Sequence, residues 1–190
     1  MPLQATRTHK AVLVALFAVL TAVGAFVRVP LPGVPFTLQV PAALLAGVAL
    51  GPWLGAASQL AYLAVGLLGL PVFASGGGPG YLLTPTFGFL VGFIAAAGIV
   101  GIVAGDLAKC GTPRLAAALL LGIAAIYLVG VPWFSWNLAV YQKKAVPTAV
   151  LWKFASVYLP LDLVKAALLL PVVRAIRSRG GLLQPAPRRR

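Results

Sequence analysis

From Val29 to Gly105 the chain runs 77 residues without an Asp, Glu, Lys or Arg. A domain folded in water cannot build its surface from such a stretch, because soluble chains carry about 25% charged residues. Here 9% of the 190 residues are charged and 61% are hydrophobic, with a mean hydropathy of +1.02. A soluble globular domain is excluded, and so is disorder, which needs low hydrophobicity. About 20 apolar residues cross the bilayer core once, so a chain of this length allows roughly six crossings with short loops.

Pro and Gly divide the apolar sequence. The basic residues Arg7 and Lys10 precede an apolar run, Ala11 to Val27. A signal peptide opens in this way, but nothing downstream reads as a soluble mature protein, so the run is taken as the first membrane helix. Residues 30–39, with three prolines, form a folded loop. Pro41 to Leu50 is a short second helix, ended by Gly51-Pro52, and Trp53 to Leu70 is the third. A Gly-rich loop follows, within 71–83. The fourth helix runs from Thr84 to Val103, the fifth from Arg114 to about Tyr141 with a bend at Pro132, and the sixth from about Leu151 to Arg174. The expected fold is an all-α membrane protein of six transmembrane helices. Residues 1–10 form an N-terminal tail, 11–175 the membrane domain, and 176–190 a basic, disordered tail.

The net charge of +13 comes from 15 Lys and Arg against 2 Asp and Glu. A basic chain can bind nucleic acid. These cations instead sit at the ends of apolar runs, as in loops that face the cytoplasm and anionic lipid, so no nucleic-acid partner is expected. With six crossings, the side holding both termini collects ten of them: Arg7, Lys10, Lys109, Arg114, Arg174, Arg177, Arg179, Arg188, Arg189 and Arg190. The other side collects four: Arg28, Lys143, Lys144 and Lys153. Both termini are therefore expected in the cytoplasm. Trp133, Phe134, Trp136, Tyr141 and Trp152 would form an outer interfacial belt.

The single cysteine (Cys110) and single histidine (His9) exclude an internal disulfide and a Cys or His metal cluster. No enzyme constellation appears. The Gly-rich loop 75–80 lacks the Lys-Ser or Lys-Thr of a phosphate loop. It reads as a turn, or as a place where backbone approaches a ligand, with Tyr81, Thr84 and Thr86 near enough in sequence to donate hydroxyl bonds. Neither a metal nor a cofactor is implied.

Asp162 and Lys165 are the most informative residues. They interrupt the last apolar stretch near its middle, where each charge costs about 3 kcal/mol on insertion scales. Their i, i+3 spacing puts them on one helix face. Three readings are open: a salt bridge that only fixes packing, a proton or ion relay, and a binding site. A carboxylate accepts N–H bonds from an amide or urea, and an ammonium pairs with an anion. Helix one carries Ala11, Ala15, Ala18 and Ala22 on one face, about 16 Å long. Such a face either packs internally or docks another subunit. Gly47-x-x-x-Gly51 and Gly88-x-x-x-Gly92 share that logic and are expected to pack internally.

Four stretches in order carry a resemblance: Val34-Pro35-Phe36-Thr37-Leu38-Gln39, Pro71-Val72-Phe73-Ala74-Ser75-Gly76-Gly77-Gly78, Thr84 to Phe93, and Pro160-Leu161-Asp162-Leu163-Val164-Lys165-Ala166. Together they resemble the BioY family, the biotin-specific substrate-binding (S) components of energy-coupling factor (ECF) transporters. The resemblance spans roughly residues 11 to 175. Thr84, Phe87 and Leu161 stand where that family usually has glycine. It implies an ECF S-component-like bundle in the cell membrane that captures biotin from outside. It also implies a membrane coupling subunit, docked on the helix-one alanines, and two cytoplasmic ATPases. Biotin suits the residues: its ureido ring offers N–H donors and its valerate an anion. By likeness, Asp162 and Lys165 contact the ligand's polar groups, with Phe36, Gln39, Gly78, Tyr81 and Thr86 around it. Loop 34–39 and Gly76 to Tyr81 close over it. An S component for another vitamin, and an ion-coupled transporter acting alone, remain open beside this reading.

Overall fold

The computed structural model describes residues 6–29, 35–107, 109–144, 152 and 154–178. The expected tail from residue 179 onward, the tip of the first loop (30–34) and Lys153 lie outside the described residues. The first helix, α1, is Arg7–Phe26, so the N-terminal cations are helical rather than a tail. Thr6 caps it, its hydroxyl accepting from the His9 amide at 3.2 Å. A two-stranded antiparallel ladder follows, β1 (Arg28–Val29) against β2 (Phe36–Thr37), with Arg28 opposite Thr37. The loop expected over 30–39 is thus partly a strand pair, and the next helix, α2 (Gln39–Leu67), already includes Gln39.

Gly51 breaks α2, with φ 75° and ψ −178°. That backbone is open to glycine alone, and Pro52 bars an α conformation at the residue before it. The chain reverses there. Residues 39 and 62 would stand about 35 Å apart on a straight helix. Instead Gln39 Nε2 donates to Tyr62 Oη at 2.7 Å, and a Cβ on Gly55 would meet Gly47 Cα at 2.9 Å. The expected second and third helices are therefore two arms of one hairpin. Five helices of the described chain are long and apolar enough to cross a membrane: Arg7–Phe26, Gln39–Leu67, Phe87–Ala104, Thr112–Tyr141 and Ser156–Ile176. The count of six expected from sequence is not reproduced, because the short first arm does not qualify on its own.

A 3₁₀ turn, Pro79–Leu83, leads into α3 (Phe87–Ala104). The helix begins three residues after Thr84, where it was expected to start. Next comes α4 (Thr112–Trp136), extended by a π-helical turn, Asn137–Tyr141. A second π turn, Phe154–Tyr158, precedes α5 (Leu159–Ser178). The last helix therefore continues into residues 176–178, which were expected to belong to the tail. Neighbours pack in chain order, α1 on α2, α2 on α3, α3 on α4 and α4 on α5, and α5 closes back on α2.

Lipid gives little apolar driving force between helices, so contact rests on small residues and close fit. Gly92 lies against the α4 backbone at Ile126, Gly47 against Ala97 of α3, and Gly101 against the Gly51–Pro52 turn. Both small-residue motifs thus pack within this chain through Gly47, Gly88 and Gly92. The aromatic belt is only partly a belt. Phe134 is buried and Trp133 meets Phe87 edge to face, with ring centres 5.4 Å apart, whereas Trp136, Tyr141 and Trp152 are exposed.

Candidate ligand site

The loops joining α1 to α2 and α2 to α3 meet α3, α4 and α5 around a cavity of about 610 Å³ counting its open mouth. Its walls take Phe36, Thr37 and Gln39 from the first loop and the start of α2, Ala74 and Tyr81 from the second loop, and Thr86 just before α3. Apolar side chains of α3 (Phe89, Leu90, Phe93) and α4 (Ile126) complete it with Tyr127, Tyr158, Asp162 and Lys165. Mostly apolar walls with a few convergent polar groups are the usual make-up of a small-molecule site.

Asp162 and Lys165 form the polar floor. Each is 7% exposed, and Lys165 Nζ lies 2.5 Å from Asp162 Oδ1. Tyr127 Oη donates to the second carboxylate oxygen at 2.8 Å. Lys165 also donates to the Thr37 carbonyl at 2.9 Å, and its ammonium sits 4.1 Å from the centre of the Phe36 ring. The sequence put this pair at mid-membrane. The span is Ser156–Ile176, so Lys165 lies next to its middle and Asp162 one turn nearer the end that carries the first loop.

The upper wall is a network of hydroxyls and amides. Gln39 Oε1 accepts from Thr37 Oγ1 at 3.0 Å, while its Nε2 group holds Tyr62, whose hydroxyl donates to Val72 O at 3.0 Å. Gln39 thus links the two loops. Tyr81 Oη and Thr86 Oγ1 lie 3.2 Å apart. Burial, the largest influence on it, lifts the Tyr81 pKa above its ordinary value. Among the described residues no buried side-chain nitrogen or oxygen lacks a partner, as a low-dielectric setting demands.

Of the sequence-derived candidates, Phe36, Gln39, Tyr81, Thr86, Asp162 and Lys165 come together on this cavity. Gly78 does not line it. With φ 94°, it turns the second loop, and its N–H donates to Gly66 O at 2.7 Å. Two of the non-glycine departures are accommodated by bonding. Thr84 Oγ1 donates to Tyr81 O at 2.7 Å, Trp133 Nε1 donates to Thr84 O at 3.1 Å, and Phe87 meets the Trp133 ring. The sequence reading missed Tyr127 and Tyr158. A hydroxyl in the middle of an apolar membrane helix needs a partner, and Tyr127 carried that signal.

The helix-one alanines do not share one environment. Ala11 and Ala15 are exposed, while Ala18 and Ala22 are half-buried against the main core. The inward face of α1 is Leu13, Phe17, Thr21, Gly24 and Ala25. Between α1 and the second arm of α2 lies another polar cluster. Gln59 Nε2 donates to Thr21 Oγ1 at 3.2 Å and to Ser58 Oγ at 3.1 Å, and all three residues are fully buried.

Comparisons with known proteins agree with this architecture. A crystal structure described as the S-component for biotin from an ECF-type ABC transporter superposes with a TM-score of 0.77 at 26% identity, over 93% of this chain and 96% of that one. A biotin transporter BioY from Rhodobacter capsulatus is 37% identical over 174 residues, 86% of this chain and 90% of that protein. A probable biotin transporter BioY from Lysinibacillus sphaericus is 48% identical over 126 residues, 66% of this chain. That match spans just under two-thirds of the Lysinibacillus relative, 64% of its length. The profile of the BioY family matches residues 1–181, which takes in all five helices and every residue of the cavity, and the chain belongs to the BioY family.

Proposed function

We propose that the chain is a multi-pass membrane subunit that captures biotin from the outer side and delivers it inward with ATPase-coupled partners. The observation that carries this reading is the cavity beneath the two outer loops, with Asp162 and Lys165 buried side by side on its floor. Its apolar walls suit a thioether ring and an aliphatic tail. Its floor offers a carboxylate to ureido N–H groups and an ammonium to a carbonyl or anion. Gln39, Tyr81 and Thr86 add hydrogen-bonding groups at the rim, and Phe36 covers Lys165. The work is binding and release, not catalysis. The names of the relatives support biotin as the ligand.

The same reading carries six crossings, counting each arm of the α2 hairpin, which puts both termini on the cytoplasmic side of the cell membrane. The ten-to-four distribution of cations supports that orientation. It also carries a membrane coupling subunit, docked on α1 where Ala11 and Ala15 are exposed, with two cytoplasmic ATPases supplying the energy.

The test is calorimetry of the detergent-purified chain with biotin, without ATP. Saturable binding at one site that is lost in Lys165→Ala is expected. No heat with biotin, or binding indifferent to Lys165→Ala, would sink the assignment. Uptake that persists with ATPase-deficient partners would instead support an ion-coupled transporter acting alone.

A further inference from the structure

The charge balance of the cavity points to a third ionic group. Asp162 and Lys165 cancel, so the floor is neutral as it stands. The Lys165 ammonium has three N–H donors; it pairs with Asp162, donates to the Thr37 carbonyl and faces the Phe36 ring. A ligand carboxylate brought beside this neutral pair adds a negative charge in a low-dielectric setting, which is strongly unfavourable unless it is paired. A countercharge is needed that the Asp162–Lys165 pair does not already consume.

Arg28 meets that need. It lies on β1, opposite Thr37 in the ladder, and Thr37 is the residue whose carbonyl holds Lys165. Its guanidinium reaches across the mouth and donates through Nη1 to the carbonyl of Ala74, a residue of the cavity wall. It is therefore already drawn in between the two loops. The chain has two acidic residues, Asp106 and Asp162. Asp162 is taken by Lys165, and Asp106 follows α3 at the opposite end of the bundle from the β1–β2 ladder. Arg28 thus has no carboxylate of its own at this end. Arg28 is itself exposed and stands outside the cavity lining, which it reaches through the Ala74 carbonyl; Lys143 and Lys144, the other described cations expected on this side, are exposed just after the π turn that extends α4. A guanidinium offers five donors in a planar fork suited to a carboxylate, and the Ala74 bond uses one.

We infer that Arg28 is a ligand-contacting residue that pairs with the carboxylate of the bound molecule at the mouth and selects acids over their neutral analogues. This rests on the reading of the cavity as the biotin site, and it extends that reading to the ligand's anionic end.

The experiment compares biotin with biotinamide, which keeps the rings and tail but has no charge, on the detergent-purified full chain. Arg28→Gln is expected to weaken biotin about ten- to a hundredfold, the loss of one charge-assisted bond, and to leave biotinamide unchanged. Arg28→Lys, which keeps the charge, is expected to retain a preference for biotin over the amide. Equal weakening of both ligands by Arg28→Gln would make Arg28 a clasp between loops and overturn the proposal, as would an undiminished preference for biotin. A wild-type chain that binds the amide as tightly as biotin overturns it without any variant, which also covers a variant that fails to fold. Failure of the wild-type chain to bind either ligand would instead strike the biotin reading.

Discussion

Two of the polar clusters buried among the helices differ in every respect except burial. The Asp162–Lys165–Tyr127 cluster is charged, opens on a cavity and ties α5 to α4 and to the first loop. The Thr21–Ser58–Gln59 cluster is uncharged, borders no described cavity and ties α1 to α2. Neutral amides and hydroxyls that satisfy one another are inexpensive in a membrane interior, where such bonds average about 0.6 kcal/mol. An ion pair there gains little net stability over apolar residues of the same size. A pair that contributes so little to the fold, placed on the floor of a cavity, belongs to what enters it.

The largest expected effect that tests this contrast is Asp162→Leu, which strands the Lys165 ammonium in the interior at about 3–5 kcal/mol. Folded yield and biotin binding should both collapse. The double variant Asp162→Leu/Lys165→Leu should recover a monodisperse, thermally stable protein that still binds no biotin. Recovered binding would break the contrast. Next, Tyr127→Phe removes the donor to the second Asp162 oxygen and should weaken biotin about tenfold, roughly 1.4 kcal/mol, by calorimetry. Third, Gln59→Leu should lower the melting temperature by about 2–4 °C and leave biotin affinity within about twofold. A tenfold loss of affinity would show that the second cluster serves the site as well. The smallest effect on binding is expected on α1. Ala15→Trp, at an exposed position, should leave folding and biotin binding unchanged and block uptake. Ala18→Trp, half-buried against the core, should lower stability instead. Normal uptake in Ala15→Trp would remove α1 as the docking helix.

These contrasts also mark what the sequence could reveal. Composition and punctuation by Gly and Pro located the helical segments, because lipid leaves the backbone little choice but helix, although α5 begins at Leu159 rather than near Leu151. Asp162 and Lys165 stood out because their cost in lipid is large and local. Gln39 was reached through a stretch that resembles a family, and Tyr81 through its place after the Gly-rich loop, neither of them through periodicity. The sequence did not reveal that the two loops meet through Gln39 and Tyr62, 23 residues apart along the chain. That contact exists only once Gly51 has turned the hairpin. The alanine stripe was legible only in part for a related reason. Helical spacing says which residues share a face, but not which part of that face a tilted neighbour covers, and here α2 and the main core take Ala18 and Ala22 while Ala11 and Ala15 remain bare.

The turn at Gly51 bears on how the protein is made. The first arm of the hairpin, residues 39–50, rises only about 18 Å, well short of a bilayer core near 30 Å. Emerging from the ribosome alone, it is too short to be held as an independent span. It is expected to settle in the membrane only after the second arm follows, so that Gln39 reaches its depth by being carried there as part of a pair. A chain truncated after Leu50 and released from the ribosome should then remain accessible to protease at residues 39–50, and one that continues beyond Leu67 should not.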